Sequence, residues 1–500
     1  MQIVKTYCAF IVLMAFVLMA FATTTAGAAT EKPNVLFIAV DDLRPELGCY
    51  GETWMKTPNI DRLAASGVTF TRHYVQVATC GASRHALLTG LRPTTDIEYG
   101  NSAFGQQQEK LAARPTESFP HLFKQNGYHT TAIGKISHNG SDCSRDLPRS
   151  WSDVPSAGIR FPSGWDFPDP LPESKKKKIL LRHPFASRDG DDNVYKDGHL
   201  ADIAVTELGA LKNQNRPFVL AVGFSKPHLP FSSPKKYWDM YDPEKLPAIP
   251  YPDIPEGIDP QMSLHPSFEL VGQYWVPEGA LEQEEYRRKL RHGYCAAVSY
   301  IDAQVGKVLD ELDRLNLSKN TIVVLWGDHG WHLGDLGTWG KHTAFERALR
   351  SPLLVRTPGM KTSGQASDAL IETVDIYPTL AELCGLTPPD GLGGESFAAL
   401  LNNPKATGPT EAFGYHRPWT WSVRALGPHP WCKTIRTDRY RLSVWTAEKN
   451  GEKVVQVELY DHQTDPEETN NLAKTHPELV DSLIKHLDRD GITWNGTWHD

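Results

Sequence analysis

Four strand-like segments alternate with helical segments, and this alternation constrains the fold more than any other feature of the sequence. The segments are NVLFIAV (34–40), YHTTAI (128–133), PFVLAVG (217–223) and TIVVLWG (321–327). Continuous apolar runs such as NVLFIAV are typical of parallel strands that are buried on both faces. Helical patterns lie between them, at 58–66, 118–126 and 286–315. Strands joined through helices make right-handed crossovers, so the sequence predicts an α/β fold with a central, mostly parallel sheet covered by helices.

The helix boundaries carry ordinary start and stop signals. Thr57 and Pro58 predict the N-cap and the first residue of the first helix, and Gly67 predicts its end.

Two Pro-rich stretches, 168–184 and 235–277, are predicted to be irregular surface segments. Segments of that kind often shape a substrate cleft.

The pattern changes after about residue 400. TIRTDRYRLSVW (434–445) and VVQVELYDH (454–462) predict antiparallel strands, and 476–487 predicts a closing helix. We therefore expect a main α/β domain over residues 30–400 and a smaller C-terminal α+β subdomain over residues 401–500.

The first 29 residues predict a secretory signal peptide. Lys5 precedes the apolar run CAFIVLMAFVLMAFA (8–22), and small residues follow as far as Ala29. We expect export to a periplasmic, extracellular or lysosome-like compartment, with no stable membrane span after cleavage. An uncleaved membrane anchor is the alternative, because the apolar run is near the lower length limit for spanning.

Charge and cysteine content exclude several classes of function. The net charge is −8 and the basic residues are scattered, which argues against nucleic acid as the main partner. The seven cysteines are widely and irregularly spaced, so they predict neither a disulfide framework nor a zinc finger.

Polar pairs directly follow two of the predicted strands. Asp41 and Asp42 follow NVLFIAV, and Asp328 and His329 follow TIVVLWG. The carboxyl ends of parallel strands share one edge of the sheet, where ligands bind. Carboxylates that converge there would repel one another unless a cation lay between them. The pairs therefore predict a metal site, although each Asp alone could instead cap a helix or turn.

The stretch CGASRHALLTG (80–90) resembles the signature of formylglycine-dependent sulfatases, Cys-x-(Pro/Ala)-x-Arg followed by a helix that ends Leu-Thr-Gly. Cys80, Ala82 and Arg84 fill the key positions. Other stretches that resemble the iduronate-2-sulfatase-like branch of this family are NVLFIAVDDLRPELGCYG, TPNIDRLAASGVTF, IGKISHNG, FSKPHLPF, GDHGWHLGDLGTWGKH and LYDHQTDPEETNNLA. The resemblance implies an alkaline-phosphatase-like α/β sandwich.

The resemblance also implies the reaction. A maturation enzyme would oxidise Cys80 to formylglycine (3-oxoalanine), whose hydrate attacks the sulfate sulfur and forms a covalent sulfate intermediate. Elimination from the second hydroxyl then releases sulfate without attack by water at sulfur. The implied cofactor is one calcium ion, bound by Asp41, Asp42, residue 80, Asp328 and His329. An imidazole ligand is more typical of zinc than of calcium.

The same resemblance assigns roles to further residues. Arg84, one helical turn beyond Cys80, would orient the diol. Lys135 would contact sulfate, and His138 would assist the elimination. His228 would protonate the leaving oxygen, and Lys341 would neutralise a sulfate oxygen.

Three residues near these positions, Lys226, Trp331 and His342, are predicted to contact the sugar. The expected substrate is a sulfated oligosaccharide or polysaccharide, with a 2-O-sulfated uronate at a chain end as the first choice. A sulfated algal polysaccharide is an alternative of the same class. A phosphomonoester or phosphonate-ester hydrolase and a non-catalytic glycan-binding protein are the alternative functions.

Overall fold

The structure is a computed structural model that describes residues 32–94, 96–104, 117–138, 147–157, 159, 182–417, 431–446 and 454–490. The predicted signal peptide and most of the Pro-rich stretch at 168–184 lie outside these residues. Within the described ranges, no helix is long and apolar enough to cross a membrane.

Fifteen strands are numbered in chain order. They are β1 (Asn34–Asp41), β2 (Val68–Tyr74), β3 (His129–Gly134), β4 (Phe185–Arg188), β5 (Phe218–Pro227), β6 (Phe231–Pro234), β7 (Thr321–Gly327), β8 (His332–Leu333), β9 (Trp339–Gly340), β10 (Leu353–Arg356), β11 (Gln365–Glu372), β12 (Glu411–His416), β13 (Trp431–Thr437), β14 (Tyr440–Thr446) and β15 (Val454–Asp461).

The α-helices of the described residues are numbered in the same way. They are α1 (Pro58–Ser66), α2 (Cys80–Thr89), α3 (Phe119–Gln125), α4 (Lys196–Lys212), α5 (Lys235–Trp238), α6 (Pro260–Ser263), α7 (Phe268–Gln273), α8 (Glu284–Arg314), α9 (Glu346–Leu349), α10 (Ile376–Leu383), α11 (Ala398–Asn402) and α12 (Pro477–Ile484).

The central sheet has seven strands in the order β11-β2-β10-β7-β1-β5-β3. The four predicted strands β1, β3, β5 and β7 form its parallel half, with β1 between β5 and β7. Strand β10 runs antiparallel to both of its neighbours, β2 and β7. The predicted α/β fold with a mostly parallel sheet is therefore confirmed.

Alternate residues of β1 enter two separate hydrophobic cores. Leu36, Ile38 and Val40 pack into the core that contains α4 and α8, whereas Val35 and Phe37 pack into the core that contains α3 and α10. All eight residues of β1 are buried, because helices cover both faces of the sheet.

A second sheet of four antiparallel strands, β12-β13-β14-β15, forms the predicted small C-terminal subdomain. A buried ion pair between Arg441 and Glu346 attaches it to the central domain, and Glu468, within the C-terminal region itself, also pairs with Arg441. The guanidinium of Arg441 on β14 lies 2.6 Å from Glu346 on α9 and 2.5 Å from Glu468. The predicted closing helix is α12, which packs its Val480 and Leu483 into the core of the subdomain.

The start of α1 differs from the sequence prediction in one respect. Thr57 occupies the N-cap position, but its side chain does not cap the helix and instead accepts a hydrogen bond from the N–H of Gly48 (3.0 Å). The carboxylate of Asp302, on α8, accepts from the N–H groups of Asn59 (3.0 Å) and Ile60 (2.8 Å). A side chain that is distant in the sequence thus accepts hydrogen bonds from the first N–H groups of α1, which a local cap would otherwise accept.

Candidate active site

The ends of β1 and β7 bring three carboxylates together. The two strands pair in parallel with Val40 opposite Gly327, so Asp41, Asp42 and Asp328 leave the sheet side by side. Asp42 adopts a left-handed conformation (φ 57°), which aspartate tolerates better than most residues. Its N–H donates to Oδ1 of Asp328 at 3.0 Å. All three carboxylates are fully buried.

His329 faces the same cluster. Its Nδ1 lies 3.0 Å from the carbonyl oxygen of Gly330, which can only accept, so Nδ1 carries the proton. Nε2 faces the site, 3.5 Å from Oδ1 of Asp42 and 3.6 Å from Oδ1 of Asp328. The sulfur of Cys80 lies 3.3 Å from the same nitrogen.

Helix α2 inserts its first turn into this cluster. Every residue from Cys80 to Thr89 is buried. Gly81 packs against the backbone of Asn101, where a Cβ would lie 2.5 Å from Cα, and its N–H donates to Oδ1 of that residue at 3.0 Å. The hydroxyl of Ser83 donates to the carbonyl oxygen of Asp328. These contacts fix Cys80 beside the carboxylates.

Arg84 joins the cluster one turn further along α2. Its Nε donates to Oδ2 of Asp328 at 2.9 Å, and Nη2 lies 3.5 Å from Oδ1 of Asp41. Nη1 donates to the carbonyl oxygens of Lys135 and Ile136. The guanidinium is completely buried, and its fork of donors ties α2 to three separate segments.

Two lysines complete the charge balance. Lys135 forms an ion pair with Asp41, and Nζ of Lys341 lies 2.9 Å from Oδ1 of Asp42. Burial alone would raise the pKa of Asp41, but the Lys135 and His228 cations outweigh it and hold that pKa well below its usual range. Burial and the Asp41 charge raise the pKa of Asp328.

The cluster is suited to a cation. Buried oxygens Oδ1 of Asp41 and Oδ2 of Asp42 accept no hydrogen bond from any described residue. Ligand atoms of Asp41, Cys80, Asp328 and His329 lie within 4.8 Å of one another. Buried carboxylate oxygens without donors are costly unless a positive ion compensates them, so these residues fit the predicted metal.

His228 and Trp331 lie next to each other, close to Lys341. Their ring centroids are 6.5 Å apart, and Nζ of Lys341 lies 5.0 Å from the centre of the Trp331 ring. Nε1 of Trp331 is buried and has no hydrogen-bond partner among the described residues. Nε2 of His228 lies 2.8 Å from Oε1 of Glu269, a residue that the sequence analysis did not single out. No local signal marks Glu269, because the sequence predicts 235–277 to be irregular. That prediction is wrong in part, since the structure has three short α-helices there, α5, α6 and α7.

The family model described as Sulfatase matches residues 33–386. This chain belongs to the sulfatase family. A model described as the C-terminal region of N-sulphoglucosamine sulphohydrolase matches residues 327–491. The sulfatase is 35% identical to iduronate 2-sulfatase of Mus musculus over 399 residues, which cover 73% of this chain and 70% of the relative. It is 32% identical to a sulfatase of Formosa agariphila over 93% of this chain and 88% of the relative. The predicted iduronate-2-sulfatase-like membership and sulfuric ester hydrolase activity are therefore confirmed.

A solved structure supports the fold of this sulfatase. The phosphonate monoester hydrolase of Agrobacterium radiobacter superposes with a TM-score of 0.71 over 92% of this chain and 95% of that chain, at 22% identity. Likeness at this identity shows the fold alone, and it confirms the predicted alkaline-phosphatase-like α/β architecture.

The remaining predicted site residues of this sulfatase lie around the cluster in different settings. Lys226 is buried, and its Nζ donates to the carbonyl oxygens of His228 (3.0 Å) and Pro230 (2.9 Å), so it braces the loop that carries His228. Nδ1 of His342 lies 2.9 Å from the hydroxyl of Thr79, directly before Cys80. Burial, followed by the Lys135 charge, lowers the pKa of His138 to about 4. Sugar contacts by Lys226, Trp331 and His342 stay predictions.

Proposed function

We propose that this sulfatase removes O-sulfate from a uronate-containing glycan after export, and that residue 80 acts as formylglycine made from Cys80 by a maturation enzyme. The observation that carries the proposal is the position of Cys80, the first residue of α2. It is buried beside the carboxylate cluster and 3.3 Å from Nε2 of His329.

The thiol form of residue 80 is poorly suited to nucleophilic attack. Burial and the Asp41 charge raise the pKa of Cys80 well above its ordinary value, so little thiolate forms near neutral pH. Formylglycine, when present, supplies hydroxyl oxygens on a hydrated aldehyde in place of the thiol. Because the site disfavours the thiolate, the raised pKa supports the proposal that Cys80 is a precursor and not the working nucleophile.

Arg84 and Lys135 would prepare the nucleophile and the sulfate. Arg84 is locked by two carboxylates and two carbonyl oxygens, so it can hold the side chain at position 80 without moving. Lys135 and Lys341 flank the cluster from two sides through Asp41 and Asp42. Their ammonium groups would balance negative charge as it shifts on the sulfate oxygens.

His228 would deliver a proton to the leaving sugar oxygen. A sugar alcohol leaves poorly as an alkoxide, and protonation at that oxygen contributes about 10²- to 10⁴-fold in typical enzymes. The imidazole lies beside Trp331, is 26% exposed, and has Nε2 4.0 Å from Oδ2 of Asp42. His138 would assist the later removal of a proton from residue 80, and its lowered pKa of about 4 leaves the ring neutral near neutral pH.

We propose calcium as the metal. Asp41, Asp42, Asp328 and His329 would hold it together with the oxygen of modified residue 80, and the ion would supply charge neutralisation and polarise an oxygen. Three of these four side chains are carboxylates, the ligand type that calcium prefers.

The substrate class follows from relatives and from charge. Iduronate 2-sulfatase is named for a uronate substrate, and Nζ of Lys341, which lies over the Trp331 ring, would supply a cation beside the sulfate. We therefore propose a 2-O-sulfated uronate unit of a glycan, with His342 and Lys226 among the residues that shape its pocket.

Paired aryl esters test the reaction class directly. The protein matured with a formylglycine-generating enzyme should hydrolyse an aryl sulfate faster than the matching aryl phosphate. A clear preference for phosphate would instead favour the phosphonate- or phosphate-ester alternative, and binding of sulfated sugars without turnover would favour a non-catalytic role. Defined glycans that differ only in uronate 2-O-sulfation then test the substrate class.

A further inference from the structure

Glu269, an acidic residue that contacts His228 and Lys341, has no role in the proposed mechanism. Glu269 lies in the first turn of α7, and its side chain is 12% exposed. Ser267, just before the helix, accepts a hydrogen bond through its hydroxyl from the N–H of Trp339 on β9 (2.9 Å). Strand β9 leads directly to Lys341. The backbone therefore fixes Glu269 relative to that lysine.

The carboxylate of Glu269 bridges two groups of the reaction. Oε1 lies 2.8 Å from Nε2 of His228, and Oε2 lies 3.3 Å from Nζ of Lys341. A carboxylate with so little exposure is costly unless it is paired, and here both partners are groups to which the proposed mechanism gives a role at the sulfate ester.

Two hydrogen bonds fix the orientation of the His228 ring. Its Nδ1 lies 2.7 Å from the carbonyl oxygen of Leu229, which can only accept, so Nδ1 carries a hydrogen. The Glu269 carboxylate is also an acceptor, so a hydrogen lies between it and Nε2. Together the two contacts prevent the ring from flipping and direct Nε2–H to Oε1 of Glu269.

We propose that Glu269 is a positioning residue that fixes the protonated His228 ring and Nζ of Lys341 beside the sulfate ester, and that the leaving oxygen of the bound ester takes over the Nε2–H hydrogen bond, and then the proton, from Glu269. This inference rests on the proposed function, because it needs a sulfate ester whose leaving group is protonated by His228. Glu269 itself acts only through its two partners.

The consequence depends on the leaving group. A sugar alkoxide needs a proton as the sulfur–oxygen bond breaks, whereas the nitrophenolate of para-nitrophenyl sulfate leaves well without one. Loss of Glu269 should therefore slow sugar sulfates much more than the aryl sulfate. A residue that merely supported the fold would slow both esters together.

The test compares Glu269→Gln and Glu269→Asp with the wild-type protein on a uronate 2-O-sulfate disaccharide and on para-nitrophenyl sulfate. We expect kcat on the disaccharide to fall by about 10- to 100-fold, with kcat on the aryl sulfate within about threefold of wild type. Aspartate is too short to reach both partners, so it should not rescue the loss. Glu278→Gln, at an exposed glutamate shortly after α7, is the matched control and should change neither rate.

A double-mutant cycle adds a second readout. In a His228→Gln background, Glu269→Gln should have little further effect on the disaccharide rate, because both changes remove the same proton delivery. Equal losses on the two esters, or additive losses in the cycle, would overturn the inference while leaving the proposed function intact. A wild-type protein that turns over neither sulfate would overturn the proposed function itself.

Discussion

Replacement of Arg84 by lysine tests how the site is built. Lysine keeps the charge but replaces a planar fork of five donors with one ammonium group. Arg84 currently meets Asp328 at 2.9 Å and Asp41 at 3.5 Å, and it also donates to the carbonyl oxygens of Lys135 and Ile136. A single ammonium cannot satisfy both carboxylates and both carbonyl groups.

The expected cost follows from the lost contacts. One charge-assisted hydrogen bond in a buried setting contributes about 1.5–3 kcal/mol, and removing one partner of a buried ion pair costs about 3–5 kcal/mol. Because lysine would retain part of the pairing, we expect Arg84→Lys to lower the free energy of unfolding by about 3 kcal/mol. Turnover of the aryl sulfate should also fall at least tenfold, since residue 80 loses its fixed neighbour.

Urea unfolding followed by circular dichroism measures the stability change. The matched control is Arg62→Lys, because Arg62 and its partner Asp310 have side chains 48% and 63% exposed. An exposed pair of this kind contributes at most about 1 kcal/mol. If the free energy of unfolding of Arg84→Lys were within about 0.5 kcal/mol of the wild-type value, the claim that Arg84 holds the carboxylate cluster together would be wrong.

Three further predictions address the nucleophile, the metal and the response to pH. Cys80→Ala should abolish aryl sulfate turnover but leave the free energy of unfolding in urea close to the wild-type value, because alanine suits a helix. Retained turnover would refute the role of residue 80. Calcium at about 100 times its dissociation constant should stabilise the wild-type protein by about 2.7 kcal/mol, and Asp42→Asn should lose that gain in thermal unfolding. Burial lowers the pKa of His73 to about 3, below its value of about 6.5 in the unfolded chain. The unfolded state therefore binds the proton first, so the free energy of unfolding should fall by up to about 1.4 kcal/mol per unit as pH drops from about 6.5 toward 3. His73→Gln should flatten that slope in urea titrations, and an unchanged slope would argue against this assignment.

Features set by local pattern could be predicted from the sequence. The apolar runs that became β1 and β7 identified the middle of the sheet, because burial on both faces leaves a continuous hydrophobic signal. Strand ends then placed Asp41 and Asp328 at one edge. The motif around Cys80 predicted a helix start beside them, where the structure has it.

Features set by long-range contacts could not be predicted in this way. Asp302 satisfies the start of α1 from a helix more than 200 residues away, so Thr57 looked like the cap in the sequence. Glu269 reaches His228 and Lys341 from a segment without periodicity. Nothing in the neighbouring residues distinguishes such an acid from a solvated one, because its partners are brought close only by the completed fold.

The central claim is that residue 80 works as an aldehyde and not as a thiol. The decisive measurement is mass spectrometry of the peptide that carries residue 80, made on preparations with different degrees of maturation and paired with aryl sulfate turnover of the same samples. We predict that the peptide has the mass of formylglycine in place of cysteine and that turnover rises in proportion to the aldehyde fraction. Full turnover by a preparation whose residue 80 is entirely thiol would contradict the account.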